Sequence, residues 1–161
     1  MRKWLALAFG VAILAIVNFA ILGKEGILRD GRVLLLELAP VDPRSLMQGD
    51  YMALRFAVGR ELPEQIASDG YLVLALDADG VGRYRRLDDG EPLAADEVRL
   101  RYRVRAGMVR FATNAYFFEE GTGKQYDDAR YGEFRVNQSG EALLTGLRDK
   151  DLGRLGPDAE G

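Results

Sequence analysis

The chain has 161 residues, 48% of them hydrophobic, and a formal net charge of -3; one domain with a buried core is expected, and a general nucleic-acid binder, which needs a basic footprint, is not. It contains neither histidine nor cysteine, so zinc sites built on imidazole or thiolate, cysteine nucleophiles and histidine-based triads are excluded by inventory. Ser or Thr with Lys, paired carboxylates or a hard-metal site remain.

The N-terminus reads MRKWLALAFGVAILAIVNFAILGKEG, with no charge between Lys3 and Lys24. As a helix, Trp4 to Leu22 would rise about 28 Å, close to the thickness of the hydrocarbon layer. Trp4 stands where an aromatic interface anchor would, beside Arg2 and Lys3. The alternative is a cleaved signal peptide, which requires small residues at both positions of its processing site. Cleavage after Ala20 would leave Asn18 at the outer position and cleavage after Gly23 would leave Ile21 there, so an uncleaved anchor is the expectation. Residues 1–3 then form a cytoplasmic tail, 4–22 cross the lipid bilayer and 23–31 act as a polar linker. Lys24, Arg29 and Arg32 leave the Lys/Arg count without a clear winner. A short basic tail before a first apolar segment usually stays in the cytoplasm, which sends the following domain across the membrane.

RVLLLELAPVDP predicts a strand over 32–38, buried on both faces and stopped by Pro40 and Pro43. A second strand is expected over 50–58, where Met52, Leu54 and Phe56 alternate. Residues 61–70 are expected to hold one or two helical turns. A hairpin follows, 71–76 and 81–87 around the DADG turn at 77–80. VRLRYRVRAG gives the strictest alternation, with Val98, Leu100, Tyr102 and Val104 opposite Arg99, Arg101, Arg103 and Arg105. After an Ala106-Gly107 turn, MVRFATNAYFFEE predicts a bent strand, 124–131 a short helix, and 132–149 a hairpin around Asn137 to Gly140. The end from Lys150 is expected to fray. The fold class is therefore mainly β, one transmembrane helix followed by an antiparallel sandwich or partly open barrel over 32–152 with one or two short helices, and a flexible tail over 153–161.

Candidate chemistry is thin. Asp50 at the start of a strand could bind a metal or a partner; the favoured reading is that Gly49 supplies a turn's positive φ and Asp50 bonds the backbone two residues on. Leu46 to Asp50 resembles the stretch before the catalytic strand of type I signal peptidases, but Val41 and Asp42 occupy the places of that family's serine and following methionine. No spacing supports Ser45 with Lys124 or Lys150 in their stead. GTGK at 121–124 lacks both the leading glycine and the Ser or Thr of a phosphate loop. The acidic clusters lack calcium-loop spacing, and no metal or other cofactor is indicated.

The arginine row would run about 20 Å along one strand face. It could meet lipid phosphates or an acidic partner surface, or pair with Glu133, Glu141 or the carboxylates of 88–97. Arg83, Arg85 and Arg86 could widen it.

The stretch APVDPRSLMQGDYMALRFAV is similar to the hallmark of the GDYXXLXY family of membrane-anchored bacterial proteins: Gly49, Asp50, Tyr51 and Leu54 match, and Phe56 replaces the final tyrosine. The resemblance extends to NAYFFEEGTGKQYDDARYGEFRV. It implies an inner-membrane protein with its domain in the periplasm or outside the cell, often encoded near large multi-spanning membrane proteins, which are candidate partners, and implies no reaction. The leading expectation is a non-enzymatic domain that binds a membrane or envelope protein through the Gly49-Asp50-Tyr51 turn. The rival is an enzyme or small-ligand binder whose site gathers Asp50, Tyr51, Tyr116, Glu120 and Arg130.

Overall fold

A computed structural model describes residues 2–39, 47–48, 51–113 and 115–156. It opens with one helix, α1 (Arg2–Asp30), apolar on all sides and almost wholly exposed, with Phe9, Ile16 and Phe19 each more than two-thirds accessible. Among the described residues, Phe9–Asp30 is long and apolar enough to cross a membrane. Such a helix fits a single-pass anchor and also a signal sequence. Asn18 satisfies its amide on the Leu14 carbonyl one turn back, at 2.8 Å.

Residues 23–30, expected to be part of a linker, are helical. Glycine costs about 1 kcal/mol in a helix interior, but no proline interrupts the segment and its last turn packs on the β domain. Ile27 is buried there. The Gly31 amide donates to the Ile27 carbonyl at 2.9 Å, and Arg135 donates to the Gly31 carbonyl at 3.1 Å, placing a cation at the negative end of the helix dipole. Gly31 is required by proximity, because a Cβ would collide with the Ile27 carbonyl oxygen and stand 3.1 Å from the Val136 nitrogen.

The rest is antiparallel β structure, including a half-barrel. One sheet contains β1 (Arg32–Glu37), β9 (Tyr131–Val136), β10 (Ala142–Arg148) and β11 (Arg154–Leu155), in that order. Another orders β5 (Gly82–Leu87), β4 (Asp69–Leu76), β6 (Glu97–Arg105) and β7 (Met108–Phe111). A small third sheet joins β2 (Met47–Gln48), β3 (Tyr51–Ala53) and β8 (Ala115–Phe117). They enclose one core in which Leu34, Leu72, Leu74, Leu100, Phe134 and Leu147 are fully buried, each stabilising the fold by about 1.5–3 kcal/mol.

The first two sheets meet where Leu35 bridges Val81. The β9–β10 turn docks on β6, Arg101 donating its amide to Gly140 at 2.9 Å. Gly140 has a φ of +84°, and a Cβ there would stand 2.9 Å from the Tyr71 ring and 3.1 Å from Arg99.

Several local expectations are corrected. Among the described residues of the strand expected over 50–58, ladder pairing covers Tyr51–Ala53, with a bridge at Phe56 and a 3-10 turn at Ala57–Arg60, yet Met52, Leu54, Phe56 and Val58 all remain buried. No helix forms over 61–70; Asp69 and Gly70 already belong to β4. The helix expected over 124–131 is a 3-10 turn at Gly123–Tyr126, because Tyr131 pairs with Glu37. The bent strand is two strands in different sheets, turned apart at Ala112, whose φ is +43°. Within the end expected to fray, Arg154–Leu155 forms β11, with Leu155 pairing opposite Leu147.

Candidate functional site

Of the matching hallmark residues, Tyr51 and Leu54 are described, and Gly49 and Asp50 lie outside the described residues. The β3–β8 register sets Tyr51 opposite Phe117 and Met52 opposite Tyr116. Successive strand residues point to opposite faces, so Tyr51 and Tyr116 diverge. On the outer face the Tyr51 and Phe117 rings lie 5.8 Å apart, and Phe117 is 74% accessible. On the inner face Tyr116 packs edge-on to the buried Tyr126 at 5.2 Å, and Phe118 stacks on the same ring at 5.4 Å. These three aromatic residues help line a cavity of about 480 Å³ that Phe117 also borders, together with Glu119, Gln125 and Arg154. Glu120 and Arg130 do not line it. Both are exposed, and Arg130 works through its backbone, accepting from the Leu38 amide and donating to the Arg148 carbonyl, each at 2.8 Å.

The arginine row lies on β6 as the alternation predicts: Val98, Leu100 and Tyr102 are buried, while Arg103 and Arg105 are exposed. Its two ends differ. Arg99 is held by Asp88 at 2.7 Å. Arg101 reaches Glu141 at 2.7 Å and Asp69 at 3.2 Å. Hydrogen bonds donated to Asp69 and Glu141 hold the Arg101 guanidinium above its ordinary pKa, and the bond from Arg101 holds the Asp69 carboxyl below its own. Arg103 approaches Asp69 only at 3.6 Å. Among the described residues no carboxylate lies within ion-pair distance of Arg105.

Glu133, considered as a counter-ion for this row, is instead buried against Arg148 at 2.6 Å. Thr145 donates to its other carboxylate oxygen at 3.1 Å. Arg85 and Arg86 turn to Glu97 and Asp89 rather than widening the row.

The open end of the row borders a groove of about 830 Å³. Lys24, Arg101, Arg103, Arg105 and Arg110 line it with Glu141, over a lining that includes Ala142, Leu143 and Leu144. Lys24 and Arg110 were absent from the sequence-level candidates. Arg110 was nonetheless readable: a two-residue turn at 106–107 pairs 105 with 108 and hence 103 with 110, the register observed. Lys24 could not be read this way, because its position depends on how α1 docks.

The model of the GDYXXLXY protein family matches residues 13–147. The chain belongs to the GDYXXLXY family. No curated protein and no solved structure matches it. The family assignment brings no assigned biochemical role. Where the family pattern has its last tyrosine, Phe56 sits buried with its ring 5.3 Å from that of Phe134 and 6.1 Å from that of Phe111. In this member of the family that position serves packing.

Proposed function

We propose that the protein is an uncleaved, single-pass membrane protein whose β domain stands on the non-cytoplasmic side of the bacterial inner membrane and binds another membrane or envelope protein. The observation that carries the reading is the junction: α1 runs unbroken from Arg2 to Asp30, and its last turn is packed into the domain through Ile27 and Gly31. A leader destined for removal has no need to be built into the folded body it precedes. The family match also begins inside the helix, at residue 13. With the helix across the bilayer, the domain is held close to the surface instead of hanging from a loose stalk.

The contact face in this reading is the small sheet that begins the hallmark, with Tyr51 and Phe117 as anchors. A large, exposed aromatic side chain beside a half-buried one is the composition that protein interfaces favour. A photo-crosslinking residue placed at position 117 in the full chain, activated in intact cells, should yield one discrete adduct with a membrane or envelope protein. Tyr51→Ala should weaken that adduct, while the same probe at the exposed Glu91 should not form it. Uncrosslinked monomer at both positions would overturn the partner reading.

A further inference from the structure

The cationic groove beside α1 carries charge that the fold does not use. Its walls come from the last turns of α1, from β6 and β7, and from β10. Lys24 is the first charged residue after the apolar crossing segment that ends at Leu22. In a helix it lies about 3 Å beyond that run, within a headgroup layer roughly 5–7 Å deep. The groove therefore opens at headgroup level if α1 spans the bilayer, and this step rests on the anchor reading.

Its charges are unbalanced. Of the lining cations, Arg101 is committed to Glu141 and Asp69, whereas among the described residues Lys24, Arg105 and Arg110 have no carboxylate within 4 Å. The β6–β7 register also sets Arg103 directly opposite Arg110, both exposed. Like charges in that relation are unfavourable. An anion between them turns the repulsion into two attractions, and guanidinium forks suit the oxygens of a phosphate better than a single point charge does. The lining of Ala142, Leu143 and Leu144 offers apolar surface next to that charge.

We propose that this groove binds the headgroup phosphate of an anionic glycerophospholipid, the arginines of β6 and β7 taking the phosphate and Leu143 of β10, on the face opposite the core-packed Leu144, meeting the glycerol and first acyl carbons. The shared chemistry with a soluble phosphate ligand is the oxyanion; Leu143 and the headgroup-level position favour the lipid.

Full-length protein in uncharged maltoside micelles would be titrated with short-chain phosphatidylglycerol, short-chain phosphatidylcholine and inorganic phosphate. Saturable binding of phosphatidylglycerol alone is expected. Arg103→Gln and Arg110→Gln should each weaken it about fivefold. Asp69→Asn, which removes the carboxylate competing for Arg103, should tighten it, and Arg85→Gln, outside the groove, should leave it unchanged. Equal binding of the two lipids, or no response to the Arg103 and Arg110 substitutions, would overturn the proposal. Inorganic phosphate binding as tightly as phosphatidylglycerol would overturn the lipid assignment in favour of a soluble phosphate ligand. A chain recovered without α1 would defeat the anchor reading separately, since the titration does not depend on how the protein reaches the membrane.

Discussion

Arg99 and Arg105 occupy one face of one strand, yet they live in different environments. Around Arg99 the sheet is covered by the β9–β10 turn and by Asp88, so the side chain is half-buried and paired. Around Arg105 the strand leaves β4 and keeps only β7, and the side chain stands in solvent. The alternation of a strand assigns a residue to a face, and what covers that face decides whether its charge is spent on stability or left for a ligand.

The comparison breaks most visibly at the buried carboxylate, Glu133. Arg148→Ala leaves the buried Glu133 carboxylate without its partner and should cost about 3 kcal/mol, read as a fall in thermal midpoint of roughly 10 °C in detergent-solubilised protein. Arg99→Ala strands the less enclosed Asp88 and should cost about 1–2 kcal/mol in the same assay. Asp69 sharpens the middle of the row through pH. Its folded pKa is depressed, chiefly by the hydrogen bond from Arg101, so its contribution is present above the ordinary carboxylate value of about 4 and is lost as pH falls through the folded value. The stability difference between wild type and Asp69→Asn should therefore shrink as pH is lowered from 5 to 3; a constant difference would contradict the pairing. At the open end, Arg110→Gln should change stability by no more than about 0.5 kcal/mol and raise it slightly at low salt, because a like-charge neighbour of Arg103 is removed.

Much of this was legible before the structure. The alternation from Val98 to Arg105 separated core from solvent correctly, and a two-residue turn at Ala106-Gly107, both with positive φ, fixes the β6–β7 register. The leucines of β1 were expected to be buried on two sides, and Leu34, Leu35 and Leu36 all are. The misses arose where distant contacts decide. Glu133 looked like a counter-ion for the row until pairing with β1 and β10 carried it to Arg148. Gly23 and Gly26 read as a linker because glycine is a poor helix former, and only the docking of Ile27 explains why the helix continues. Tyr51 and Tyr116 were grouped as one site on residue type; the register of a three-residue ladder separates them to opposite faces. The cationic groove was half visible, since the arginines could be counted but Lys24 joins them only through the path of α1.

The central claim is that α1 stays attached and keeps the domain at the bilayer, and the intact mass of the protein extracted from carbonate-washed membranes tests it most directly. The account predicts a species of about 17.9 kDa, retaining the N-terminal helix and found in the membrane pellet. A product lacking the first twenty or so residues, recovered in the soluble fraction, would contradict it.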